Sequence, residues 1–67
     1  MKLKTIRKNK KLTQADLAEQ TGINLRMLQY YEQGYKDINN ASGITLYKIA
    51  QALECSIEDL LEIKKEG

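Results

Sequence analysis

The chain has no proline, no histidine, no phenylalanine and no tryptophan, and one cysteine among its 67 residues. Each gap removes a class of function. A lone Cys55 forbids an internal disulfide and fits a reducing cytoplasm, where we expect the protein to work. Without histidine, and with a single thiol, no transition-metal site is expected. No nucleophile–base pair can be assembled either, because Cys55 has no activating neighbour in sequence. The four glycines lie too far apart for a phosphate-cradling loop. The carboxylates Glu54, Glu58, Asp59 and Glu62 read as a solvated helix face rather than a catalytic pair. The residue inventory therefore argues against an enzyme and calls for no cofactor. The basic start, MKLKTIRKNKKL, is followed by no unbroken apolar stretch, so neither an export signal nor a membrane span is expected.

What is present belongs to an ordinary folded chain, with 42% hydrophobic and 30% charged residues. Its length suits one domain, residues 1–67, with a small core and short loops. The net charge of +2 hides an asymmetry. Residues 1–36 carry eight basic and three acidic side chains, a balance of +5; residues 37–67 carry three and six, a balance of −3. The first half suits a polyanionic partner, or is simply a solvated run of charge.

Periodicity and punctuation predict five short helices and no strand. Leu3, Ile6 and Leu12 mark a first helix from about Lys2 to Lys10. "TQAD" at 13–16 is a capping box with Asp16 in the usual Glu position. The helix it opens buries Leu17, Ala18 and Thr21 and stops at Gly22. Asn24 caps a third helix with Leu28 and Tyr31 inward and Met27 beside them, ended by Gly34. "YKDINNASG" reads as a loop anchored by Ile38. Ser42 or a neighbour caps a fourth helix carrying Leu46, Ile49, Ala50 and Leu53 at helical spacing, and Tyr47 is expected in or at the edge of its core face. "SIED" at 56–59 opens a short last helix with Ile57, Leu60 and Leu61 inward. Ile63 is one apolar residue more than an end helix needs, and is expected as part of a dimer patch or a frayed end.

From Gln14 to Gln33 the pattern has a specific meaning. Two helices that cross steeply around a tight turn need a small residue at their closest approach, and Ala18 supplies it. The turn needs a positive φ, which Gly22 tolerates. Ile23 pins the turn, and Leu17, Leu28 and Tyr31 dock the two helices together. These are the spacings of a helix-turn-helix.

"LTQADLAEQTGINLRMLQYYEQG" resembles the DNA-binding domain of the phage repressor and Cro family, the XRE-type helix-turn-helix proteins. "TLYKIAQALECSIEDLL" resembles the fourth and fifth helices of the same domain, at about 43–63. The likeness spans residues 3–61. It implies an all-α, five-helix, lambda-repressor-like domain that binds double-stranded DNA at a palindromic operator, usually as a homodimer, with the third helix in the major groove. Transcriptional repression by occupancy is the implied role; an antitoxin-like or protein-interaction module is the alternative on the same domain. The loop "YKDINNASG" departs from the family by its composition and its missing proline.

With Leu28 and Tyr31 inward, residues 25, 26, 29, 30 and 33 lie on the outer face of the third helix. The resemblance makes Leu25, Arg26, Gln29 and Tyr30 base-reading positions, with Asn24 at the helix start beside them. Arg26 can grip guanine O6 and N7 or a phosphate; Gln29 can pair with adenine; Leu25 can pack on a thymine methyl. The resemblance also makes Gln14 a phosphate contact, and Lys8, Lys10, Lys11, Gln33 and Lys36 join it as candidates. Arg7 and Glu32 match a family pair that ties the first helix to the third and leaves Arg7 facing the DNA backbone. Breaking such a pair costs about 3–5 kcal/mol if buried and about 0–1 kcal/mol if exposed.

Overall fold

A computed structural model describes residues 2–62. Within them the chain forms α1 (Lys2–Asn9), α2 (Gln14–Thr21), α3 (Leu25–Gln33), α4 (Gly43–Leu53) and α5 (Ile57–Leu60), with a 3-10 turn at Ile38–Asn40. No strand occurs among the described residues. The expected patch residue Ile63 lies outside them.

Local chemistry sets the helix ends. The Thr13 hydroxyl accepts from the Asp16 N–H at 3.0 Å, and the Asp16 carboxylate accepts from the Thr13 N–H at 3.0 Å. Ser56 and Asp59 repeat the arrangement at the start of α5. Each box satisfies two amides that a helix start otherwise leaves unbonded. Asn24 caps α3 by accepting the Arg26 N–H at 2.8 Å, and Ser42 caps α4 through the Thr45 N–H. At the other ends, Gly22 and Gly34 turn the chain with φ of 72° and 85°. Two stops use residues that pay for a left-handed backbone, Lys11 at φ 59° and Glu54 at φ 54°. The turn after α4 is thus made by Glu54, and Cys55 follows it, donating its N–H to the Ala50 carbonyl at 3.0 Å.

One apolar cluster joins all five helices. Leu3, Leu17, Leu28, Tyr31, Ile38, Leu46, Ile49, Ala50, Leu53 and Leu60 are buried in it, with Ile6, Leu12, Ala18, Ile23, Met27, Ile57 and Leu61 packed against them. Ile38 is the loop anchor, held there by the 3-10 turn that Asp37 caps through the Asn39 N–H. Tyr47 corrects the sequence reading: it is 57% exposed. The buried residues of α4 centre on Ile49 and Leu53, and at about 100° per residue Tyr47 falls well off that stripe, beside exposed Ile44 and Gln51. Its hydroxyl accepts from Gln51 Nε2 at 2.7 Å.

The first and last described residues are fastened to each other. The Lys2 N–H at the start of α1 donates to Glu62 Oε1 at 2.7 Å. Asn39 clamps the backbone of Glu62 from both sides, accepting its N–H at 2.8 Å and donating to its carbonyl at 3.0 Å. Glu62, expected as a solvated carboxylate, is therefore the cap of α1.

Candidate nucleic-acid interface

Helix α3 has one face in the core and one in water. Leu28 is fully buried and Tyr31 is 5% exposed. Asn24, Leu25, Arg26 and Gln33 are exposed, and Gln29 and Tyr30 are half-buried beside them. All five expected base-reading residues thus lie on one continuous surface at the start and along the outside of α3.

That surface is held in place from beneath. Arg7 Nε donates to Glu32 Oε2 at 2.7 Å and Nη2 donates to Glu32 Oε1 at 2.9 Å, a two-pronged pair between α1 and α3. Nη1 donates to the Leu12 carbonyl at 2.7 Å, which closes the α1–α2 link. Gln14 Nε2 gives the Glu32 carboxylate its third donor, reaching Oε1 at 3.1 Å. One carboxylate therefore ties α1, the start of α2 and α3 together. Planar guanidinium and carboxylate groups match each other's hydrogen-bond directions, so the pair fixes angle as well as distance. Among the described residues no buried side-chain nitrogen or oxygen lacks a partner.

Burial pushes the Glu32 carboxyl up, but the hydrogen bonds from Arg7 and Gln14, together with the charges of Arg7 and Lys4, outweigh it and hold it below its usual range. The Arg7 guanidinium is held above its ordinary value, first by its hydrogen bonds to Glu32, with burial opposing. Both partners are ionised across the range in which proteins work.

Arg7 pairs with Glu32 as expected. It was also expected to face the DNA backbone; its side chain is 8% exposed, and each of its three guanidinium nitrogens donates one hydrogen bond inside the protein. The pair ties α1 to α3. Gln14, half-buried, spends one amide hydrogen on Glu32, while no acceptor among the described residues takes the backbone N–H of Gln14 or Ala15. These amides open at the α2 N-terminus, where free donors and the helix dipole favour an anion.

Lys8, Lys10, Lys11 and Lys36 are all exposed. Lys10 also pairs with Glu54 at the end of α4, 3.1 Å away. Cys55 offers no chemistry here: burial raises its thiol pKa, Asp59 adds to this and Lys10 opposes it, which leaves little thiolate.

Three residues escaped the sequence reading. Thr21, expected only as buried, also works through its hydroxyl: it donates to the Leu17 carbonyl at 2.7 Å and accepts the Ile23 N–H at 3.2 Å, which locks the turn between α2 and α3. A threonine before the turn glycine was the available signal. Asn39 closes the fold on Glu62, and nothing local marks it. Tyr35, in the expected loop, meets Tyr30 on the outer face of α3, their ring centroids 5.9 Å apart and their planes at 84°.

Among the described residues no three His, Cys, Asp or Glu side chains stand together as a metal cage, and no helix is long and apolar enough to cross a membrane. A search of curated proteins and a search of solved structures found no match. A helix-turn-helix family model matches residues 3–60, which takes in all of α1 but Lys2, α2 through α5, and the whole Arg7–Glu32–Gln14 junction. Fold, spacing and match agree, and the chain belongs to the XRE-type, Cro/C1-like helix-turn-helix family of DNA-binding regulators.

Proposed function

We propose that this protein is a sequence-specific regulator, one domain over residues 1–67, that works in the cytoplasm and represses by occupying its operator. One observation carries the reading: a solvent-facing row of hydrogen-bonding side chains on α3, anchored by the buried Arg7–Glu32–Gln14 junction. A groove reader needs such a row on a rigid helix, since a base-edge contact depends on placement to a few tenths of an ångström. Arg26 reads guanine, Gln29 adenine and Leu25 a thymine methyl, with Asn24 and Tyr30 at the two ends of the row. Gln14, Gln33, Lys8, Lys11 and Lys36 grip phosphates, which sets affinity and salt dependence.

A single short reading helix gives modest specific affinity, so the protein acts as a homodimer on a palindromic site, each copy reading one half. Selection of bound DNA from a random pool tests all of this together. The expected product is one palindrome whose binding weakens with salt. Binding that weakens with salt yet selects no motif overturns sequence reading.

A second reading is favoured by the outer face of α4, where Ile44 is 70% and Tyr47 57% exposed. Apolar side chains grouped on a helix face suit a protein partner, as in an antitoxin-like interaction module. No DNA binding even at low salt favours this reading over the first.

A further inference from the structure

The backbone after α3 does not run away from the reading helix but folds back on it. Gly34 reverses the chain at φ 85°. The Tyr30 carbonyl then accepts from the N–H groups of Gly34, of Tyr35 at 2.9 Å and of Lys36 at 3.2 Å. This threefold closure brings the Tyr35 ring edge-on against the Tyr30 ring, 5.9 Å between centroids. Tyr35 is 77% exposed and lies outside the core cluster, so core burial does not explain its place. Edge-to-face geometry joins the positive rim of one ring to the negative face of the other, an attraction that fixes orientation as well as contact.

We propose that Tyr35 is a positioning residue for DNA reading: it holds the Tyr30 ring in one orientation at the edge of the α3 surface and so sets the base preference at the position Tyr30 meets. This rests on the DNA-reading role proposed above. An aromatic only half-buried on a helix can sample more than one rotamer, and ordering it on binding weakens affinity. Tyr35 removes that cost beforehand. It also narrows which base the ring fits, because only one ring placement is offered.

The test uses the full chain and the operator recovered from pool selection, with each base pair of the half-site substituted in turn. Tyr35→Ala is expected to weaken binding about three- to tenfold, the range of one aromatic pair. It should flatten preference at the same base pair that Tyr30→Ala flattens and leave the other positions as in the wild type. Tyr35→Phe keeps the ring and restores both. The double variant Tyr30→Ala/Tyr35→Ala should bind no worse than Tyr30→Ala alone, because Tyr35 acts through Tyr30. Scalar couplings that report the Tyr30 χ1 angle in the free protein should show one rotamer in the wild type and averaging in Tyr35→Ala.

Equal weakening on every sequence, with the salt slope unchanged because the side chain is neutral and with Tyr35→Phe as weak as Tyr35→Ala, identifies the Tyr35 hydroxyl as a phosphate contact and overturns the proposal. So does strict additivity of the two alanine variants, or a Tyr30 rotamer unmoved by Tyr35→Ala. A wild type that selects no sequence overturns the parent reading instead. A wild type that selects one, beside a Tyr35→Ala that keeps its full preference, overturns only this inference.

Discussion

Arg7 Nε and Glu32 Oε2 lie 2.7 Å apart, and their side chains are 8% and 2% exposed. They stand on the first and third helices, and the Leu12 carbonyl and the Gln14 amide complete the junction between them. Such a pair is expensive to form in the interior and more expensive to half-remove, because the survivor is a buried charge without a partner.

Arg7→Ala and Glu32→Ala should therefore each destabilise by about 3–5 kcal/mol in urea unfolding. The double variant should lose less than the two singles together. A double-mutant cycle without coupling removes the junction as a unit.

Acid should weaken the same junction. The folded-state pKa of Glu32 lies below its ordinary value, so between the two the unfolded chain binds more protons than the folded one. The stabilisation from this group is fully present above the ordinary carboxylate range, about pH 4–5, and is lost as pH falls through the folded value. Asp16 acts in the same direction, chiefly because the Thr13 backbone N–H donates to it. Unfolding free energy measured from pH 6 to pH 2 should drop in the wild type and drop less in Glu32→Gln. Equal acid loss in both proteins assigns the pH dependence elsewhere.

The two adjacent tyrosines should behave differently. Tyr31→Ala removes a ring that is 5% exposed, and a loss of about 3–5 kcal/mol is expected, as for large buried aromatics. Tyr30→Ala should keep the melting temperature within a few degrees and weaken DNA binding. A melted domain from Tyr30→Ala, beside an intact one from Tyr31→Ala, reverses the assignment of the α3 faces.

Backbone strain makes a prediction of opposite sign at two kinds of helix end. Gly22 and Gly34 have open space where a Cβ would stand, so Gly22→Ala or Gly34→Ala should cost only the left-handed penalty, about 1–2 kcal/mol. Lys11 already carries that penalty at φ 59°. Lys11→Gly should stabilise by about 0.5–1 kcal/mol once glycine's larger unfolded-state entropy is offset, as read from thermal unfolding.

Helix starts, helix stops and the inward stripe of each helix were written locally. Thr13 with Asp16, Asn24, Ser42, and Ser56 with Asp59 cap the helices they were expected to cap, because a cap joins atoms within three residues. Spacing alone put Leu28 and Tyr31 inside and left Leu25, Arg26, Gln29, Tyr30 and Gln33 on the outer face, with Asn24 at the helix start. The pairing of Arg7 with Glu32 came from likeness to a family, not from local pattern.

Docking decided the rest. Periodicity says which residues share a helix face, but not how far a neighbouring helix covers its flanks. Hence Tyr47 came out exposed on α4, and Arg7 came out buried, with one donor from each guanidinium nitrogen held inside the protein. Asn39 clamps a backbone 23 residues away. Tyr35 reaches Tyr30 only because a left-handed Gly34 folds the chain back. Contacts of this kind exist only once helices are packed and turns are closed. The sequence by itself determined the helices and the outward row on α3; the tertiary structure decided what holds that row still.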